Sequence, residues 1–263
     1  MQQRYGRAIR LTFVTLCATL AVSVLQLVFL YMPPPVALAW QIALTVAVGA
    51  LWVRWQRTEW QRALPRRTSA WRAVAVAVLI CLAVASAYHS AIDPSVATNL
   101  AHAGNDALTR MALVLTATLT GPLLEEALFR GYMLKRLRRN FGSTTSVLLS
   151  GAVFAVAHGD PSRILPQLVA GIVLGTLVVH TGRLWLAVVA HGLANAVGLI
   201  EQLLFTSDIP ARLGIGFPLL CLAVAVVAAL ELQRVLTTTR WSISVSPTAR
   251  VAPPRTWGAD AMG

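Results

Sequence analysis

Residues 164–205 read ILPQLVAGIVLGTLVVHTGRLWLAVVAHGLANAVGLIEQLLF and contain two apolar segments, 164–180 and 184–205. Each is long enough to cross a bilayer as a helix, which takes about 17–25 predominantly apolar residues. Only a short connection containing Arg183 separates them. Gly171 and Gly175 form a Gly-x-x-x-Gly step in the first segment, which predicts that a neighbouring helix approaches closely there. The stretch therefore predicts two adjacent membrane-spanning helices.

The same pattern repeats along the whole chain. Hydrophobic residues make up 57% and charged residues only 12%, about half the charged fraction of a soluble domain. We therefore predict an all-α polytopic membrane protein with about eight transmembrane helices. The first apolar stretch follows basic residues like a signal peptide, but it is long enough to span and is interpreted as a retained helix. The predicted spans are 11–31, 36–53, 71–88, 108–134, 143–159, 164–180, 184–205 and 213–234.

The chain divides into three predicted parts. Residues 1–107 hold the first three spans, and residues 108–236 form a membrane domain with the polar residues described below and the final helix. Residues 237–263 show no hydrophobic periodicity and are expected to be disordered. The three cysteines lie inside apolar segments, and no pair has disulfide or metal-site spacing.

The net charge of +12 arises from arginines in short connections between spans. All strong basic clusters fall on one side of the predicted topology, which places both termini in the cytoplasm. This placement indicates contact with anionic lipid headgroups and argues against nucleic-acid binding. A composition rich in Ala, Val and Arg, with Lys135 as the single lysine, indicates a bacterial plasma membrane protein.

Seven residues with polar or aromatic side chains stand out inside three of the spans. Ionisable residues in a membrane helix are costly and usually face a cavity or a partner. Four-residue steps place the members of each pair on one helix face. At 1.5 Å per residue, Glu125 and His158 both lie about 24–26 Å along their helices from the turn at 140–142. A shared site is therefore predicted. The residues are Glu125, Glu126 and Arg130, then Phe154 and His158, then His191 and Asn195.

Chemistry suggests roles for these residues. Glu126 and Arg130 have the i,i+4 spacing of an ion pair, which leaves Glu125 free to act as a general base that activates water. His191 and Asn195 are candidate hydrogen-bond donors to an oxyanion. Two other interpretations stay open at this point: interhelical hydrogen bonding without catalysis, and a transport pathway. No inverted repeat supports transport.

The order and spacing of three motifs resemble those of the CAAX-protease and bacteriocin-processing (CPBP, or Abi) family of intramembrane endopeptidases. The motifs are Glu125-Glu126-Ala-Leu-Phe-Arg130-Gly131, Phe154-Ala-Val-Ala-His158 and His191-Gly-Leu-Ala-Asn195. The resemblance covers roughly residues 110–205. It implies that Glu125 and His158 activate water, that His191 and Asn195 stabilise the oxyanion, and that Glu126, Arg130 and Phe154 support the site.

The resemblance implies an endopeptidase that cuts a membrane-associated peptide or protein. Members of the family are described both as metalloproteases and as metal-free glutamate proteases. Zinc held by Glu125, His158 and His191 therefore stays open, although the chain has no His-Glu-x-x-His helix. The alternative function is that of a non-catalytic membrane partner or immunity protein that regulates another membrane protein.

Overall fold

The computed structural model describes residues 31–59, 67–92, 106–204 and 214–238, together with a few isolated positions before residue 22. Within these ranges the chain is helical, with short turns and no β-strand. The predicted first span, 11–31, lies almost entirely outside the described residues. So does the tail beyond Thr238, whose predicted disorder remains a prediction.

Within the described ranges, seven helices account for the other predicted spans. Five of them contain stretches long and apolar enough to cross a membrane, and two are shorter apolar helices. The prediction of an all-α polytopic membrane protein is therefore confirmed. The helices are α1 (Pro34–Glu59), α2 (Arg67–Ile92), α3 (Ala107–Leu137), α4 (Ser143–Ala157), α5 (Ile164–Thr181), α6 (Leu184–Leu204) and α7 (Gly216–Thr238).

Helix α2 is central to the packing, since it contacts α5, α6 and α7. Its buried face consists largely of alanines, including Ala70, Ala73 and Ala77. Lipid offers apolar side chains the same environment as protein, so close packing of small residues, rather than burial from water, favours association of these helices. Helix α1 packs against the first part of α3, whereas the second part of α3 contacts α4 and α6.

The predicted close approach at the glycine step is confirmed, and the neighbour is α4. A Cβ on Gly171 would lie 2.7 Å from Cα of Gly151, whereas one on Gly175 would meet Val147 at an acceptable 3.4 Å. The backbones of α4 and α5 therefore touch at Gly151 and Gly171. This contact fixes the depth of α4, which carries Phe154 and His158.

Helix α3 is not a regular α-helix. Two π-helical segments, Thr116–Thr120 and Ala127–Leu134, flank a short α-helical segment, Gly121–Glu126, that begins with Gly-Pro. Segments with i→i+5 hydrogen bonds occur frequently at functional sites because the extra residue redirects the side chains around it. Glu125 and Glu126 are the last two residues of the α-helical segment, directly before the second π segment.

Candidate active site

The predicted ion pair within α3 is present and completely buried. Arg130 Nη1 donates to Glu126 Oε1 at 2.7 Å, and both side chains are 0% exposed. Arg130 Nη2 also donates to the carbonyl oxygen of Gly171 at 3.2 Å, and its Cζ lies 4.3 Å from the centre of the Phe154 ring. The guanidinium therefore joins α3 to α4 and α5.

A second hydrogen bond ties Glu126 to α6. His191 Nδ1 lies 2.9 Å from Glu126 Oε1, the same oxygen that accepts from Arg130. Because an ionised carboxylate only accepts hydrogen bonds, Nδ1 carries the hydrogen in this contact. The other ring nitrogen, Nε2, points towards Glu125. Glu126 therefore orients His191 as well as pairing with Arg130.

His158 is oriented in the same way by a different acceptor. Its Nδ1 donates to the carbonyl oxygen of Phe154 at 2.8 Å, which leaves Nε2 facing Glu125. The Glu125 Oε2 atom lies 3.8 Å from His191 Nε2 and 4.0 Å from His158 Nε2. Both distances exceed a direct hydrogen bond. The structure thus brings Glu125, His158 and His191 together around a small gap.

The facing atoms of Glu125, His158 and His191 can all accept a hydrogen bond, and none of them donates one to another. The Glu125 Oε2 atom is buried and makes no direct hydrogen bond, and the two facing Nε2 atoms are acceptors when their rings are neutral. One water molecule could donate to Glu125 and to one imidazole at once. The Glu125 and His158 side chains are 22% and 26% exposed, whereas His191 is 9% exposed, so the gap opens on the side of Glu125 and His158.

The Phe154 ring packs against both histidines of the site. Its ring centre lies 4.6 Å from that of His158, 5.9 Å from that of His191 and 5.1 Å from that of Phe129, all in edge-to-face arrangements. The ring is 0% exposed. Phe154 therefore holds both imidazoles by contact, in addition to lying under the Arg130 guanidinium.

The turn after His158 fixes the end of α4. Asp160 accepts hydrogen bonds from Ser162 N and Oγ at 3.0 and 2.6 Å and pairs with Arg163 at 3.1 Å. The hydrogen bonds from Ser162 lower the pKa of Asp160, so the carboxylate form that holds the turn is favoured. Gly159 has φ +68°, a conformation that suits glycine. The predicted fifth span, 143–159, therefore ends as a helix at Ala157, and His158 caps it.

Asn195 binds the first π segment of α3. Its Nδ2 donates to the carbonyl oxygen of Ala117 at 2.8 Å, so one of its two amide hydrogens is engaged. The second amide hydrogen remains for another acceptor. One turn earlier on α6, a Cβ added to Gly192 would lie 2.5 Å from the carbonyl oxygen of Thr118. The backbones of α6 and α3 are therefore in direct contact beside His191.

We expect Gly192→Ala to impair the site and Gly198→Ala to leave it intact. The first substitution forces α6 away from α3 and moves His191, because backbone atoms cannot yield to the new methyl group; overpacking of this kind costs about 1–3 kcal/mol. Nothing lies within 4 Å of a Cβ on Gly198, on the same helix. Thermal unfolding of both variants in detergent measures the difference. Equal behaviour of the two variants would contradict the close contact.

Glu125, His158 and His191, the possible zinc ligands of the sequence analysis, are not arranged as a metal site in the structure. Ligands about 2.0–2.1 Å from a tetrahedral zinc lie roughly 3.3 Å apart, whereas the facing atoms here are 3.8 and 4.0 Å apart. Among the described residues, no group of three or more His, Cys, Asp and Glu side chains is arranged to hold a metal ion. The chemistry open to these residues as placed is that of their side chains with a water molecule.

Two comparisons with known proteins found similarity to membrane peptidases. The family model described as type II CAAX prenyl endopeptidase Rce1-like matches residues 107–197. The protein named "Putative membrane peptidase YdiL" of Bacillus subtilis (strain 168) is 28% identical over 91 residues, which are 35% of this chain and 37% of that relative. The match thus spans less than two fifths of either chain. No solved structure matches the chain.

The fold and the site define a polytopic helical membrane protein with a carboxylate and imidazole cluster inside the bundle. The segment that matches the family model also carries the three sequence motifs and is similar to CAAX-protease-like proteins. It contains all seven predicted site residues, from Glu125 to Asn195.

Proposed function

We propose that this protein is an intramembrane endopeptidase that hydrolyses peptide bonds with a water molecule activated by Glu125 and His158. The observation that carries the proposal is the gap in which Glu125 Oε2 faces the Nε2 atoms of His158 and His191 at 4.0 and 3.8 Å. Acceptors that face one another at these distances, with no direct bond between them, are suited to orient a water molecule and to remove its proton.

The chemical steps follow from this arrangement. Water donates one hydrogen to Glu125 and the other to His158 Nε2, which aims an oxygen lone pair at the substrate carbonyl carbon. Glu125 takes a proton as the carbon–oxygen bond forms, and the carbonyl oxygen becomes an oxyanion. When the carbon–nitrogen bond breaks, Glu125 returns that proton to the leaving amine. Proton uptake and release therefore balance within one turnover.

Donors for the oxyanion come from α6. Asn195 has its second amide hydrogen, because only one contacts Ala117. His191 donates from Nε2 when both ring nitrogens carry hydrogen, with Nδ1–H held by Glu126. Removal of one such donor typically costs about 10²–10³-fold in turnover. Glu126, Arg130 and Phe154 hold these groups and take no part in proton transfer.

The proposed setting is the plasma membrane of a bacterium, with both termini in the cytoplasm. The substrate is a membrane-associated peptide or protein, since the site lies among apolar helices. Residues 108–236 form the catalytic membrane domain in this proposal, and residues 1–107 supply the spans that precede it. Nucleic acid is not a partner, because the basic residues serve the topology and contact lipid headgroups.

Purified protein in liposomes tests the function and the metal-free mechanism together. The protein is incubated with peptides extracted from the membranes of its host, with and without ortho-phenanthroline, and new peptide termini are identified by mass spectrometry. We expect the same cleavage products in both samples. Cleavage that stops with the chelator and returns with zinc would contradict the metal-free mechanism. Absence of cleavage under both conditions would contradict the peptidase and favour the non-catalytic partner.

A further inference from the structure

Ser150 on α4 makes a contact that its sequence position does not reveal. Its Oγ donates to the carbonyl oxygen of Phe129 at 3.3 Å, and the residue is 1% exposed. Phe129 lies in the second π segment of α3, between Glu126 and Arg130. Serines in helices often donate to the carbonyl four residues earlier in their own helix, but the Ser150 hydroxyl instead crosses to α3.

The position of Ser150 on α4 connects it with the site. Ser150, Phe154 and His158 follow one another at four-residue steps, so they lie along one face of the helix. That face meets α3 at three levels. Ser150 binds the Phe129 carbonyl, Phe154 packs on Phe129 and Arg130, and His158 faces Glu125. The Ser150 hydroxyl therefore makes the hydrogen bond at the N-terminal end of this continuous contact between α4 and α3.

The hydrogen bond from Ser150 is made to a π segment, and the geometry of that segment affects the direction of the two glutamates. A helix that changes from i→i+4 to i→i+5 hydrogen bonding rotates the residues on either side of the change relative to each other. Glu125 and Glu126 precede the second π segment, and Phe129 and Arg130 lie within it. A shift of the Phe129 carbonyl would therefore turn the two glutamates relative to His158 and His191.

We propose that Ser150 is a positioning residue: its hydrogen bond to Phe129 holds the second π segment so that Glu125 faces the two histidines. The proposal rests on the proposed peptidase function. Ser150 touches neither water nor substrate in this account and acts through α3. Its loss should lower kcat, because a displacement of about 1 Å at reacting groups can cost on the order of 10²-fold. KM should change little, since the substrate-binding surface is untouched.

Ser146 provides a matched control on the same helix. It is 0% exposed, and its Oγ donates to the carbonyl of Gly142 at 2.9 Å, in the connection just before α4. Ser146→Ala and Ser150→Ala each remove one buried hydroxyl one helical turn apart. Only Ser150→Ala releases the π segment. A general loss of stability should affect both variants similarly, whereas a loss of positioning should affect one.

The experiment has a readout that does not require a substrate. Solid-state NMR of the ring nitrogens of His158 and His191 is recorded for the full-length protein in liposomes, with assignment from His→Gln variants. We expect Ser150→Ala to shift these signals and Ser146→Ala to leave them as in the wild type. Ser150→Cys, which retains a weak donor, should give shifts between those of the wild type and the alanine variant.

Measurement of kcat and KM completes the test once a substrate has been identified. Ser150→Ala should lower kcat by about tenfold or more with KM within about twofold, and Ser146→Ala should match the wild type. Unchanged histidine signals in Ser150→Ala, or equal changes in both alanine variants, would overturn the positioning role. A wild-type protein that cleaves nothing would overturn the peptidase function instead, while the NMR comparison still decides the role of Ser150.

Discussion

Replacing Glu125 with glutamine is expected to reduce peptide hydrolysis by about 10²–10⁴-fold, the usual contribution of a general base. Glutamine keeps the volume of the side chain and one oxygen acceptor, but the amide does not accept the proton of the attacking water. The buried pair behind the site does not contain Glu125, so folding should be unaffected. Turnover of a purified sample on an identified substrate, with thermal unfolding measured in parallel, checks both expectations.

Glu231→Gln is the matched control for this substitution. Glu231 lies on α7 and pairs with Arg72 of α2, whose side chain is 63% exposed. Loss of an exposed ion pair typically costs about 0–1 kcal/mol, and turnover should stay at the wild-type level. Substantial turnover in Glu125→Gln would mean that another group takes the proton of the water, and the assigned mechanism would be wrong.

Replacing Arg130 with alanine is expected to cause the largest loss of stability. The buried Glu126 carboxylate would lose its ion pair, and removal of one partner from such a pair costs about 3–5 kcal/mol. The hydrogen bond to Gly171 and the contact with the Phe154 ring are lost at the same time. Thermal unfolding in detergent and the yield of folded protein measure the effect.

A double substitution separates the charge from the packing. Glu126→Gln with Arg130→Met removes both charges and roughly keeps both volumes, and replacement of a whole buried pair by groups of similar shape is often close to neutral. The double variant should therefore be more stable than Arg130→Ala. It should still be impaired in hydrolysis, because a neutral amide at position 126 accepts from His191 Nδ1 more weakly than the carboxylate does. Wild-type stability of Arg130→Ala would refute the structural role of the pair.

The spans that the structure describes and the main ion pair were predictable because their signals are local. Long apolar runs mark a bilayer crossing, and the i,i+4 spacing of Glu126 and Arg130 depends only on helix geometry. Helix lengths measured from the turn at 140–142 also predicted that Glu125 and His158 reach the same depth. The facing atoms are indeed 4.0 Å apart.

Other features of the site depend on packing between distant parts of the chain. Glu126 meets His191 across 65 residues of sequence, and no spacing rule connects them. The π segments of α3 have no clear sequence signal apart from Pro122, which lacks an N–H and suits an irregular helix. The bond from Asn195 to Ala117 depends on the first of these segments. Ser150 shares the four-residue step of Phe154 and His158, but nothing in the sequence indicates that its hydroxyl bonds to α3.

The most direct test of the central claim compares the peptide termini in membranes from cells that express the wild type or Glu125→Gln at equal protein levels. We expect a set of new termini that is present with the wild type and absent with the variant, and that set would also identify the substrate. Identical termini in the two membranes, under conditions in which loss of the gene has a measurable effect, would contradict the assignment of a peptidase.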